Sequence, residues 1–311
     1  MKNKNRAFSL IELSIVVLII GILIAGVTQG SRLVNASKVQ TAQTLSQSAP
    51  VTSVQGLILW LDSSREDSFI STEASNATQL TKWYNVNPQV ANLNRATTSL
   101  TTFTNSSANI TYKSVGINGL PSVSFASASR TSTFASPAGG RIVTPYQAYT
   151  IFVVARVTSI AATNAFLYNG DSAGFKGFGF YSDSTGKMRV DGGTTSAFTA
   201  LVGNTSAIAN AARIMTVTIS PDSVNGVATT TPAAKFYVNG KSDLTVTNLS
   251  ANISTQGPND ILYLGGTTAA SLLPFVGDMS EVIMFDTVLK DSDRKSVEQY
   301  LGKKYGIAVA S

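Results

Sequence analysis

From Phe8 to Val27 the chain is apolar without a break except for one carboxylate, Glu12. A run of this length matches the roughly 20 residues a helix needs to cross a bilayer. An ionisable group inside such a segment costs about 2.5–3.5 kcal/mol on insertion scales, so it ordinarily has a partner and a role. Lys2, Lys4 and Arg6 lie immediately upstream. The positive-inside rule therefore keeps that end cytoplasmic and sends the remainder outward. A cleavable secretory signal would instead be cut at small residues after the apolar core, such as those between Ile24 and Gly30. A glutamate so early in the run argues against that alternative.

Beyond Val27, residues 28–47 contain no proline and are rich in Ala, Ser, Gln and Val. Val34, Ala42 and Leu45 fall near one face at helical spacing. A continuous helix from Phe8 to Gln47 would be about 60 Å long. Gly26 and Gly30 could loosen it, and Pro50 ends it, leaving a linker over 48–55.

The N-terminal residues resemble those of type IV pilins and of the pseudopilins of type II secretion. Phe8-Ser9-Leu10-Ile11-Glu12 follows the family pattern, with Ala7 in place of the usual glycine before the cut. The resemblance implies a leader over 1–7 removed by a prepilin peptidase between Ala7 and Phe8, and N-methylation of Phe8. It also implies that Glu12 pairs with the Phe8 amine of a neighbouring subunit during assembly. The implied location is the bacterial inner membrane, single-pass with the N-terminus cytoplasmic, and then a cell-surface filament or periplasmic pseudopilus.

From Gly56 the pattern changes to short apolar runs separated by turn residues. Leu57 to Leu61, Tyr149 to Val157, Ile214 to Ile219, Ile261 to Leu264 and Met279 to Phe285 read as strands. Ile151 to Val154 is too apolar for a sheet with one wet face. Lys235 to Gly240 is a strand entering an Asn-Gly turn, the strongest short hairpin signal. Asp291 to Tyr305 is the exception, with Val297, Leu301 and Tyr305 at helical spacing. Its acidic first turn and Lys303 and Lys304 in its last suit the helix dipole. The expected fold is a long N-terminal helix plus an all-β antiparallel jelly-roll sandwich with a short C-terminal helix.

An ordered set of segments in this region resembles bacterial laminin-G-like, concanavalin A-like domains. It comprises Gly56 to Asp62, Lys82-Trp83-Tyr84-Asn85, Gly119 to Phe125, Tyr149 to Val154, Phe236 to Gly240, Leu264-Gly265-Gly266 and Gly277 to Phe285. The resemblance implies a two-sheet head over 56–311, of a kind commonly used to bind glycans or proteins at cell surfaces. Fold alone does not name the ligand.

Composition narrows the chemistry. The formal charge is +6, but three of the 23 basic side chains belong to the leader, against 17 acidic ones. No basic block remains, so nucleic acid is not an expected partner. The chain has no cysteine and no histidine, which excludes disulfides, His-based triads and the usual zinc sites. Calcium remains open, because it needs only oxygen ligands, and Asp171, Asp183 and Asp191 lie in Gly/Ser-rich turns. Isolated turn aspartates more often bond their own backbone. Trp60 lies inside an apolar strand and reads as packing, whereas Trp83 and Tyr84 sit in a polar stretch where they could stack on a sugar. Asp278 and Glu281 differ in strand parity and are expected on opposite faces. With Glu66, Glu73, Glu281 and Glu298 the only head glutamates and no carboxylate pair at alternate strand positions, an enzyme is not expected. The expected function is a pilin-like filament subunit, minor or specialised, whose lectin-like head adheres to a glycan or surface protein. The alternatives are a type II pseudopilin and a structural subunit whose head binds nothing specific.

Overall fold

In a computed structural model the protein is described at residues 10–88, 102–105, 109–126, 133–137, 148–160, 163–171, 176–193, 198–205, 210–220, 223–224, 227–228, 233–247, 261–266 and 273–310. The N-terminal expectation is met by α1 (Leu10–Gln47), one helix of 38 residues, or about 57 Å at 1.5 Å per residue. It runs unbroken through Gly26 and Gly30. Of the face read in the sequence, Ala42 and Leu45 are embedded and Val34 is not. Val34 is 55% exposed, while Ala42 and Ser46 are buried and Val39 and Leu45 half-buried. Only the last turns of α1 are therefore seated in the head. The expected linker is packed as well: a 3-10 turn, Pro50–Thr52, buries Val51 completely.

The described residues of the head form two large antiparallel sheets and a two-stranded one, β13 (Ser223–Val224) with β14 (Val227–Ala228). The first has β16 (Lys241–Thr247), β15 (Ala233–Val238), β12 (Arg213–Ser220), β7 (Tyr149–Val157), β18 (Gly277–Phe285), β5 (Ser122–Phe125) and β4 (Ile110–Lys113) in that order. A further strand, β1 (Leu57–Asp62), pairs with β18 beside β5. The second sheet runs β11 (Phe198–Val202), β10 (Met188–Gly193), β9 (Lys176–Ser182), β8 (Asn164–Asp171), β17 (Leu262–Leu264), β6 (Phe134–Ala135), β3 (Thr102–Thr104) and β2 (Lys82–Tyr84). The Asn-Gly hairpin is present: Asn239 and Gly240 take φ of 50° and 77° between β15 and β16, where a two-residue turn needs left-handed backbone.

Between the sheets lies one core, with Leu59, Leu61, Ile151, Val153, Met215, Val217, Val282 and Met284 meeting Trp83, Phe103, Phe134, Phe166, Phe178 and Phe180. The second face of β7 explains its continuous apolarity. Phe152 and Val154 point away from that core into a second apolar layer with Trp60, Ile283 and Phe285. That layer is roofed by α2 (Asp291–Tyr305), the 3-10 turn and the end of α1, through Val297, Leu301, Tyr305, Val51 and Ala42. Gly306 closes α2 in a left-handed conformation, φ 61°, with the Ile307 N–H donating to the Gly302 carbonyl at 2.9 Å.

Along β18 the partner changes halfway. Gly277 to Met279 pair with β5, and Glu281 to Phe285 pair with β1. Ser280 sits at the changeover, inside a bulge relative to β7. The Ser63 N–H donates to the Ser280 carbonyl at 2.9 Å, and the Ser280 and Ser63 hydroxyls both donate to the Pro121 carbonyl. The extra residue corrects the parity expected for Asp278 and Glu281. Met279 and Val282, three apart, both face the core, so Asp278 and Glu281 both lie on the outer face.

Candidate functional site

The outer apolar layer contains a buried ionic cluster where the shaft helix meets the head. Asp62 ends β1, Glu281 follows the β18 bulge, Lys304 comes from the last turn of α2, and Ser46 comes from the last turn of α1. The side chains of Asp62, Glu281 and Lys304 have no solvent exposure. Lys304 Nζ donates to Asp62 Oδ2 and to Glu281 Oε2, each at 2.7 Å, and to Ser46 Oγ at 2.8 Å. The Ser46 hydroxyl donates to Asp62 Oδ2 at 2.7 Å. Ser64 donates its N–H and its hydroxyl to Asp62 Oδ1, at 2.9 and 2.7 Å. Glu281 accepts from Trp60 Nε1 at 2.8 Å, from the Tyr300 hydroxyl at 3.0 Å and from the Tyr305 hydroxyl at 2.9 Å. Every carboxylate oxygen thus has at least two donors, the condition under which buried charge is tolerated.

One ammonium serves two carboxylates, and their electrostatics diverge. Burial pushes the Asp62 carboxyl up, but Lys304, Ser46 and Ser64 outweigh it and hold the group below its ordinary value. Burial pushes the Glu281 carboxyl up, the Asp62 charge adds to it, and Lys304 and Trp60 offset only part. Burial and the two neighbouring carboxylates raise the Tyr300 and Tyr305 hydroxyls well above the usual phenol range. Lys304 is in the last turn of α2, where its charge suits the helix dipole as expected. It also lies on the buried stripe of α2, while Lys303 is exposed. The signal in the sequence was a lysine three residues after Leu301 and four after Tyr300, both stripe positions. Ser46 carried no comparable signal.

A second, separate cluster lies on the same outer face. Asp278 accepts from Lys113 Nζ at 3.1 Å and from the Arg156 guanidinium. Asp278 and Glu281 therefore share a face but answer to different cations and do not form an acid–base pair. Further along α2, Glu298 accepts from the Thr216 hydroxyl at 2.7 Å and from Arg294, whose guanidinium lies 3.7 Å from the centre of the Tyr237 ring.

The residues read as ligand candidates do not converge. Trp83 is fully buried, stacked on Phe69 at 5.8 Å and edge-on to Phe134 at 5.9 Å, so it is core and not a sugar platform. Its strand looks polar in sequence because only the alternate residue faces inward. Tyr84, its neighbour, is half-buried on the other face of β2. Asp183 uses Oδ1 within its own turn, accepting from the Thr185 N–H and hydroxyl and the Lys187 N–H at 2.7 to 2.9 Å. Asp171 ends β8, paired in register with Lys176 on another hairpin position. Asp191 is bound by Arg189 at 2.6 Å. Among the described residues no three acidic side chains gather as a cation site. Glu12 lies on an exposed turn of α1, whereas Ala7 and Phe8 lie outside the described residues.

Two clefts flank the seated end of the shaft. One, of about 290 Å³, lies between α1 and α2 and is lined by Lys38, Thr41, Leu45, Asn118 and Tyr305. The other, of about 410 Å³, is lined by Gln43, Gln47, Arg65, Glu66 and Asp67. A third cleft, of about 390 Å³, brings Arg156 and Arg213 together with Asn118, Asn210 and Asn239. Of these, Arg156 is committed to Asp278, Asn118 donates to the Tyr305 carbonyl at 2.8 Å and Asn239 accepts from the Ile214 N–H at 2.9 Å.

Comparison with solved structures finds a shared fold at a TM-score above 0.5 and weaker likenesses below it. The binding domain of Paraclostridial Mosquitocidal Protein 1 superposes with a TM-score of 0.52 at 10% identity, over 79% of this chain and 52% of that one. Domain 4 of AbnA, a GH43 extracellular arabinanase from Geobacillus stearothermophilus, in complex with arabinotriose, gives 0.42 at 17% identity, over 61% and 80%. The Ruminococcus gnavus IT-sialidase CBM40 gives 0.38 at 22% identity, over 48% and 80%. No curated protein matches the sequence. Residues 2–28 match the prokaryotic N-terminal methylation motif. Residues 126–293 match Laminin_G_3, described as the concanavalin A-like lectin/glucanases superfamily. With more than half of its length in that match, the chain belongs to the concanavalin A-like lectin/glucanase superfamily, its domain carried on a pilin-type N-terminal segment.

Proposed function

We propose that this protein is a pilin-like filament subunit that displays a lectin-like head for adhesion to a glycan or surface protein. The observation that carries the reading is the unseated part of α1. Between Leu10 and Val27 its large apolar side chains are 49 to 84% exposed. Covering that surface takes lipid before assembly and neighbouring subunits afterwards, because water would penalise it at about 25 cal/mol per Å². In this reading a prepilin peptidase cuts between Ala7 and Phe8, Phe8 is N-methylated, and Glu12 pairs with the Phe8 amine of the next subunit. The pairing neutralises two charges that neither lipid nor a packed helix bundle would tolerate alone. The rigid seat of the shaft holds the head outward.

The head binds without turnover. Its histidine-free composition and the commitment of Asp62, Glu281, Asp278 and Glu298 to cations support that reading, since a glycosidase needs two carboxyls facing a shared cleft. In this reading the ligand surface is the cleft of about 390 Å³ beside Arg213. Glu12→Ala tests the assembly half: the variant should insert and be processed, yet be lost from sheared filaments. A glycan array and matrix-adhesion assay on displayed protein, with Arg213→Ala beside wild type, test the other half. Equal filament incorporation of the Glu12 variant would sink the pilin reading. Binding insensitive to Arg213, or absent throughout, would sink the ligand surface.

A further inference from the structure

The cluster at the foot of the shaft has the composition of a reaction site as well as of an ion pair. A primary amine, Lys304, is held 2.7 Å from one carboxylate oxygen of Asp62 and 2.7 Å from one of Glu281, with all three side chains sealed from solvent. Trp60, Tyr300 and Tyr305 wall the site. Fixing the amine against the carboxylate replaces a bimolecular encounter, and good orientation of this kind is worth effective molarities of about 10⁵ M or more. Exclusion of water favours loss of water over its return.

We propose that Lys304 and Asp62 condense to an intramolecular amide, with Glu281 as the proton carrier. The geometry supplies each step. Glu281 Oε2 takes a proton from the Lys304 ammonium. That proton passes on to Asp62 Oδ2, turning the carboxylate into the neutral acid, and the freed amine lone pair then attacks Asp62 Cγ. Charge developing on Asp62 Oδ1 is received by the Ser64 N–H and hydroxyl, which already donate to that oxygen at 2.9 and 2.7 Å. Oδ2 is the leaving oxygen. Already carrying the proton passed on by Glu281, it receives a second from the attacking nitrogen, the Cγ–Oδ2 bond breaks, and water departs. Once the proton shifts from Oε2 to Oε1 of the same carboxyl and the Tyr300 hydroxyl turns toward Ser46, a relay is in place: Tyr300 Oη is 3.0 Å from Glu281 Oε1 and 3.3 Å from Ser46 Oγ, and Ser46 donates to Asp62 Oδ2 at 2.7 Å. Ammonium and carboxylate become amide and water, Glu281 ends ionised as it began, and no oxidant or activating group is needed.

The site of the bond has a mechanical consequence. β1 is the first strand after the shaft; among the described strands it pairs with β18, and Asn85, Val86 and Asn87 bond to its backbone. Tension arriving through α1 therefore reaches β1 first. An amide from Asp62, at the far end of β1, to α2 would tie that strand to the C-terminal helix. It would do so in a chain that has no cysteine for a disulfide.

Intact-mass spectrometry of the denatured full chain, purified in detergent, tests the bond. The wild type should weigh about 18 Da less than its processed sequence, as expected for loss of one water. Trypsin should release residues 39–65 joined to 304–311. Glu281→Gln, confirmed as folded by circular dichroism, should show the full sequence mass. Asp62→Ala should also do so, and the wild-type measurement stands even where a variant fails to fold. A wild-type chain at full mass with no joined peptide would overturn the proposal, and so would a joined peptide that links Lys304 to Glu281.

Discussion

Replacing Lys304 by methionine in a Glu281→Gln background isolates the cost of leaving Asp62 charged in the core. That background removes the second carboxylate and the proton carrier, so Lys304 stays a free ammonium beside Asp62. Methionine keeps the length of the side chain but removes the donors to Asp62 Oδ2 at 2.7 Å, Ser46 Oγ at 2.8 Å and Tyr300 at 3.2 Å. Breaking one partner out of a buried pair costs about 3–5 kcal/mol, because the other charge is stranded. For a domain of this size, about 2–4 °C per kcal/mol gives a melting temperature lower by roughly 6 to 20 °C. Urea unfolding at pH 7.5, followed by tryptophan fluorescence, reads the change, since Trp60 donates into the same cluster. Adding Asp62→Asn should recover most of the loss, because no charge then remains. A loss below about 1 kcal/mol, or no recovery on adding Asp62→Asn, would refute the claim that this site is sealed and ionic.

Trp83→Ala should destabilise the head by about 3–5 kcal/mol through the cavity left between Phe69 and Phe134, whereas Tyr84→Ala should cost far less; thermal melts compare them. The Glu298 carboxyl is raised by burial against the partial offset of Thr216 and Arg294. Its contribution to stability is therefore fully present below the ordinary value of 4.5 and is lost as pH rises through the higher folded value. Glu298→Gln should flatten the decline in stability from pH 4.5 upward, measured by urea midpoints, and an unchanged slope would contradict the assignment.

The architecture was legible where local pattern and tertiary role agree. Asp291 to Tyr305 is a helix over the limits that its stripe and terminal charges set. The continuous apolarity of Tyr149 to Val157 required a sheet covered on both faces, and α2 with the foot of α1 supplies the second cover. The cluster was illegible because its parts are contributed by α1, β1, β18 and α2, and no spacing within one element reveals a partner 242 residues away. Parity misled at Asp278 and Glu281 because the bulge at Ser280 adds a residue that pattern counting cannot see. Trp83 misled for a related reason: a three-residue strand with polar flanks hides a single inward position.

The central claim is that a pilin-type N-terminus carries the lectin-like head, and it is tested most directly by the N-terminal peptide of the membrane-extracted protein. Mass spectrometry of that peptide should find Phe8 as the first residue, bearing one methyl group on its amine. A chain beginning at Met1, or downstream of Ala25, would contradict the account.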